Sequence, residues 1–194
     1  MSRETTSFSR DGVRWLAAYG DLGDDIDLCG VDQNGVLMRA ADALAREEGL
    51  RCRFIHGDAF GLVEPAHIFL STGVIHHFRG EDLPRFFTRQ HDAMAMVHFD
   101  ILPSWLTPLG AWMFHVARMR EPLAQHDGVR SALRAHSGAT LVDAARAPGW
   151  KVALYDGKVP IVPVLRVMHA LVGVEGSLAS EVGARLAPRL GPWS

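Results

Sequence analysis

Two stretches of the chain, AHIFLSTGVIHHF (66–78) and AMAMVHFDIL (93–102), are almost continuously apolar. Both are bounded by polar or turn-forming residues and separated by the helical pattern EDLPRFFTRQHDA. A half-solvated antiparallel strand alternates apolar and polar residues. A strand covered on both faces by helices has no polar face to keep, so it reads as an unbroken run. These two runs therefore predict strands buried on both faces of a largely parallel sheet, and that constrains the fold more than any other feature.

The rest of the pattern agrees. A short amphipathic helix begins after Asp11, with Val13, Leu16 and Ala17 on one face, and stops at Gly20 and Gly23. A strand follows from Ile26 to Val31 and ends at Asp32. A helix over 36–48 buries Leu37, Ala40, Ala41 and Leu44 and closes at Gly49. Cys52–His56 is the next strand, turning at Gly57-Asp58. Beyond Ile101, WLTPLGAWMFHVARM and GATLVDAARAPG read as helices, and WKVALYDGKVPIVPVL as a strand pair turning at Asp156-Gly157. The tail from residue 176 carries a weak helical pattern. Helices alternating with buried strands give the α/β class in one domain, 1–194, with a more strongly patterned half at 11–100 and a second half at 101–175.

Composition excludes several classes. Lys and Arg number 20 against 22 Asp and Glu, and the arginines are scattered, so no basic stripe invites nucleic acid. No apolar run is long enough to span a bilayer: Arg166 and His169 interrupt one candidate, and Pro108, Gly110 and His115 the other. The first ten residues, MSRETTSFSR, have no apolar core of a secretory signal. The two cysteines, Cys29 and Cys52, lack metal-ligand spacing and read as reduced core residues. A soluble cytoplasmic protein fits all of this.

In an open parallel sheet, ligands bind beyond the carboxyl ends of the strands. Here those ends carry Asp32 and Gln33, then Asp58 and Ala59, then Ser71 and Thr72, then His98 and Asp100. Asp32 can accept two hydrogen bonds from a ribose diol, or it can cap the next helix. Asp58 can accept from an adenine amino group, or it can simply make a turn. His76 and His77 follow the third strand. Adjacent imidazoles cannot both face the core, so one is available as a base near neutral pH. The alternative is a histidine that caps the strand. QHDGVRSALRAHS (125–137) reads as a polar segment between apolar helices, either a solvated loop or a lid. Trp105, Trp112, Met113 and Phe114, with Val164, Val167 and Met168, form either core packing or a greasy acceptor pocket.

The ordered set LCGVDQNGVLMRAA, FIHGDAF, FLSTGVIHHF and HDGVRSALRAHSGATLVDAA resembles the class I S-adenosylmethionine-dependent methyltransferases, in particular the small-molecule branch related to quinone-pathway and polyketide-tailoring enzymes. The resemblance runs from about residue 12 to residue 155. It implies a Rossmann-like sheet of seven strands, the last antiparallel, with VALYD and VPIVP in the final two. It implies S-adenosylmethionine as cofactor, with Asp32 on the ribose, Gln33 beside the adenine and Asp58 and Ala59 at the adenine edge. Ser71 and Thr72 would line the methionine end, and His76 or His77 would approach the methyl acceptor.

One part of the family pattern has no match. The family's first strand ends in D/E-x-G-x-G-x-G, and residues 1–31 contain no such motif. In the family's sheet that strand lies between those ending here at Asp32 and Ser71. Strands pair at about 4.8 Å, so the gap would be roughly twice that. Both flanking strands are then expected to have an unpaired edge. Three readings remain: methyl transfer impaired by loss of the loop, a non-catalytic methyltransferase-like binding module, or a chain that begins at an internal methionine of a longer enzyme. A dinucleotide oxidoreductase is disfavoured, because its phosphate loop is equally missing.

Overall fold

The computed structural model describes residues 27–50, 52–61, 65–118, 122–146, 148–159 and 162–186. The helix expected after Asp11 lies outside them. The chain forms two compact units, Met1–Val63 and Glu64–Ser194.

The first unit is one β-α-β turn. Strand β1 (Leu28–Asp32) pairs in parallel with β2 (Cys52–His56), placing Asp32 opposite His56. Helix α1 (Gly35–Glu47) connects them. It starts where it does because the Asn34 side chain accepts hydrogen bonds from the Val36 and Leu37 amides, both at 3.1 Å. Its buried residues are Met38, Ala41 and Ala45, so the covered face is turned from the expected Leu37/Ala40/Leu44 stripe, and Ala40 is exposed. Gly49, at φ +65°, ends the helix as expected. Neither cysteine is in a disulfide. Cys29 is exposed, contrary to the core expectation, because it lies on the uncovered alternate positions of β1. Cys52 is half-buried, and burial followed by nearby Asp42 pushes its thiol pKa up.

The second unit holds a four-stranded sheet in the order β3-β4-β6-β5. Strands β3 (Ile68–Thr72) and β4 (Ala95–Ile101) are parallel. Strand β6 (Val162–Val174) runs antiparallel to β4 on one side and to β5 (Lys151–Val159) on the other. The final strand is therefore antiparallel, as the resemblance implied, and it lies between β4 and β5. The expected turn at Asp156-Gly157 is absent: β5 runs through it, with a register irregularity at Gly157–Val159, and the reversal comes after Val159. Among the described residues β3 pairs only with β4.

Burial is one-sided where two-sided burial was expected. In β4, Met96, His98 and Asp100 are buried while Phe99 is 38% exposed. In β3, Ile68 and Leu70 are 62% and 61% exposed. The aromatic cover comes from Phe86 and Phe87 of α2 (Asp82–Thr88), whose rings lie tilted against the His98 ring. The Trp150 indole N–H donates to the Phe87 carbonyl at 3.2 Å and pins that cover in place. An apolar run thus recorded strand character correctly but not how many faces are covered.

Helices α3 (Thr107–Arg118), α4 (Pro122–Arg134) and α5 (Gly138–Arg146) follow β4, and α6 (Ala179–Leu186) follows β6. The polar segment 125–137 is helical as far as Arg134, so the solvated-loop reading fails. Pro122 suits a first helical position, and Ser131 and Ala132 are buried while Arg130, Leu133 and Arg134 face out. A polar outer face with a narrow buried face gave too weak a periodicity to read from sequence.

At the end of β3 the ladder closes with the Gly73 amide donating to the Phe99 carbonyl at 2.8 Å. Gly73 then turns the chain at φ +66° into a short 3-10 helix, Ile75–His77. Space is not the constraint, since a Cβ there would meet nothing within 4 Å. The left-handed backbone is. Gly73→Ala is expected to lower stability by about 1–2 kcal/mol, measured as a urea midpoint; an unchanged midpoint would mean the turn tolerates another conformation.

Candidate functional site

In the first unit, Asp32 and Asp58 stand beyond the carboxyl ends of paired parallel strands. The Gly57 amide donates to the Asp32 carbonyl at 3.1 Å and ties the two ends together. Asp32 is exposed, and its Oδ1 accepts the Asn34 amide at 2.7 Å. The helix cap is Asn34, so Asp32 does not cap the helix itself but holds the amide of the residue that does. Gln33 is exposed beside it. Asp58 Oδ1 accepts the Phe60 amide at 2.9 Å, so this residue does make the turn that its sequence context suggested. Ala59 is half-buried in that turn.

In the second unit, the 3-10 helix lays His76 over the end of β4. The Asp100 carboxylate accepts the His76 backbone amide at Oδ2 (2.9 Å) and the Ile101 amide at Oδ1 (2.7 Å). His76 Nδ1 lies 2.7 Å from the same Oδ1. Both residues are buried, His76 at 3% exposure and Asp100 at 2%. Burial pushes the Asp100 pKa up, but the hydrogen bonds from the His76 ring, Ile101 and the His76 amide outweigh it and hold the carboxyl below its ordinary value. An ionised carboxylate only accepts, so the ring proton sits on Nδ1. Nε2 then carries the lone pair, and among the described residues it has no hydrogen-bond partner.

His77 differs. It is exposed, and its ring centroid lies 4.2 Å from that of His76. Partial burial, then the neighbouring His76, lower its pKa, while Asp127 acts the other way. The expectation that one histidine of the pair faces inward is met by His76. Helix α4 braces the turn that holds it: Arg79 donates to the Arg134 carbonyl at 2.5 Å, and His136 Nε2 donates to the Phe78 carbonyl at 2.8 Å.

Ser71 and Thr72 end β3, in register with His98 and Phe99. Thr72 is exposed. Ser71 Oγ lies 2.7 Å from His98 Nδ1, and His98 Nε2 lies 2.8 Å from Gln90 Oε1. Sequence reasoning placed His98 and Asp100 at a strand end but gave neither a role. The signal available was their spacing: two residues apart on a strand, they share one face. Trp105, Trp112 and Met113 are exposed at 86%, 51% and 58%, so they are not core packing; Met168 is 37% exposed. The side chains of Phe114, Val164 and Val167 lie outside the described residues.

No protein-family model matches the chain, and no curated protein resembles it significantly. Solved structures do. A protein from a study of disulfide-to-thioacetal conversion in echinomycin biosynthesis superposes with a TM-score of 0.59 at 20% identity, over 90% of this chain and 76% of that one. A candidate O-methyltransferase from Nostoc punctiforme PCC 73102 gives 0.57 at 17% identity, over 84% of this chain. The chain spans only 47% of that protein's length. The magnesium protoporphyrin IX methyltransferase of Synechocystis PCC 6803, crystallised with S-adenosylhomocysteine, gives 0.55 at 14% identity over 89% and 83%. The chain has the methyltransferase fold. This Rossmann-like architecture is what the sequence motifs implied, with its antiparallel strand β6 inserted between β4 and β5.

His98 yields a prediction that needs no ligand. Burial lowers its pKa from 6.5 to about 3, against a smaller opposing effect of Asp100. Between those values the unfolded chain takes up a proton that the folded chain refuses. Stability contributed by this residue is therefore complete above pH 6.5 and is lost as pH falls toward 3. His98→Gln is expected to flatten that part of the stability-against-pH curve, measured by urea unfolding at each pH. A variant curve parallel to the wild type would contradict it.

Proposed function

We propose that the chain catalyses S-adenosylmethionine-dependent methyl transfer to a small hydrophobic or aromatic acceptor, with His76 as the base. The observation that carries this reading is the buried His76–Asp100 pair, whose Nε2 has no hydrogen-bond partner among the described residues. Most buried side-chain polar atoms are hydrogen-bonded, so an open nitrogen beside a carboxylate supports a functional role. Support for the cofactor comes from Asp32: it is exposed, ends a parallel strand and does not itself cap the helix, as suits a ribose-binding carboxylate. Gln33, Asp58 and Ala59 would lie along the nucleoside, and Ser71 and Thr72 toward the methionine end. In this reading residues 11–100 hold the cofactor and 101–175 the acceptor, in the cytoplasm.

Bound S-adenosylmethionine supplies an activated methyl group. What remains for the protein is to align the acceptor, exclude water and take its proton. In this reading the acceptor's phenolic or enolic O–H donates to His76 Nε2. The proton passes to that nitrogen, and Asp100, already bonded to Nδ1–H, stabilises the resulting imidazolium. His77, exposed beside it, contacts the acceptor without being the base. Trp105, Trp112 and Met113 offer apolar surface for the acceptor's body.

With a phenolic acceptor, His76→Ala is expected to lower the methylation rate by about 10²–10⁴-fold, the usual worth of a positioned base. His77→Ala should cost less than about tenfold on the same scale. Asp100→Asn should approach the His76→Ala loss, because an amide can hold either tautomer. Full activity without both histidines would remove them from the mechanism.

The missing glycine loop sets a second expectation: affinity for S-adenosylmethionine weaker than micromolar, measured by calorimetry. Micromolar affinity would mean that another segment replaces the loop. The competing reading, a non-catalytic binding module, requires no methyl transfer at any cofactor concentration.

A further inference from the structure

The Ser71–His98–Gln90 chain has a fixed polarity, and the proposed chemistry does not use it. Gln90 is 2% exposed and turns its amide oxygen to His98 Nε2 at 2.8 Å. A carbonyl oxygen can only accept, so Nε2 carries the imidazole proton. His98, at 1% exposure, packs against the rings of both Phe86 and Phe87, with centroids 5.3 and 5.7 Å away. Nδ1 of the neutral ring is then an acceptor, and the only partner within reach is Ser71 Oγ at 2.7 Å. The Ser71 hydroxyl must donate to it. Its proton is consumed on the inner side, while both oxygen lone pairs remain for whatever sits at the end of β3.

We propose that His98 and Gln90 are positioning residues that hold Ser71 as an acceptor-only group, so that the end of β3 selects ligands presenting an N–H or ammonium donor there. A free serine hydroxyl rotates and serves donors and acceptors alike. One whose proton is already spent offers only lone pairs, and a ligand group that can only accept meets them repulsively. The inference rests on the functional reading above, in which Ser71 lies at the amino-acid end of the cofactor. The α-ammonium of that end is the matching donor, and the ligand's nucleoside has no part in the selection. The charged side chain acting on His98 among the described residues is Asp100, which is occupied by His76 and Ile101. Nothing there competes for the His98–Ser71 hydrogen bond.

The test uses the intact chain and two probes, S-adenosylhomocysteine, which carries the ammonium, and 5′-methylthioadenosine, which lacks the amino-acid end. Ligand-observed NMR titration suits weak binding. Ser71→Ala is expected to weaken S-adenosylhomocysteine by at least about tenfold, the worth of one hydrogen bond to a charged group, and to leave 5′-methylthioadenosine within about twofold. Ser71→Thr keeps the hydroxyl and should restore most of the difference.

Gln90→Glu places a carboxylate on Nε2 and favours a doubly protonated ring. Nδ1 then donates to Ser71, and the same selective loss should appear with the hydroxyl still present. A merely structural role would weaken both probes equally, and that result overturns the inference while leaving the functional reading intact. Binding of neither probe to the wild type overturns both. Should Gln90→Glu not fold, the wild-type ring decides the polarity: long-range ¹H–¹⁵N spectra must give His98 protonated at Nε2, and protonation at Nδ1 overturns the inference.

Discussion

The Asp100 carboxylate is the junction on which the second unit's site depends. It closes β4 by accepting the Ile101 amide, holds the 3-10 helix by accepting the His76 amide and fixes the His76 ring through Nδ1. Three donors on a buried carboxylate offset its loss of hydration, which is why an acid is tolerated at 2% exposure. Remove it and the turn after Gly73 loses its hydrogen bonds to β4 and keeps the bracing through Arg79 and His136. The same contact therefore serves folding and chemistry, because the bond that stabilises the strand end also decides which imidazole nitrogen is basic.

Two residues earlier on the same strand, His98 is held in the opposite tautomer. His76 faces an acceptor-only carboxylate at Nδ1, whereas His98 faces an acceptor-only amide oxygen at Nε2. Each imidazole then presents a lone pair at its other nitrogen. One has no partner among the described residues, and the other is spent on Ser71. Burial alone would make both rings inert fillers. The partner chosen at one nitrogen gives each a direction, so the end of the β3-β4 pair has a defined pattern of donors and acceptors.

Much of this was legible in the sequence, and what was not has identifiable causes. Strand positions followed from apolar runs, and Gly49 marked the helix end that its positive φ suits. Burial sidedness was not legible: LeuIle-type runs in β3 and β4 fit either one covered face or two, and the cover depends on where Phe86 and Phe87 land. Helix α4 was hidden by its own polarity. Asp32 could be separated from a helix cap only once Asn34 was seen to accept the Val36 and Leu37 amides. The role of Asp100 was invisible because it is made by a residue 24 positions earlier in the chain, across a turn that no local pattern encodes.

The central claim is that Asp100 sets the His76 tautomer and so leaves Nε2 as the base. Long-range ¹H–¹⁵N correlation spectra of the ¹⁵N-histidine-labelled chain at neutral pH test it directly. Nδ1 of His76 should be protonated and Nε2 unprotonated, and Asp100→Asn should abolish that preference. A wild-type His76 protonated at Nε2 would contradict it, since the nitrogen offered to an acceptor would then be a donor.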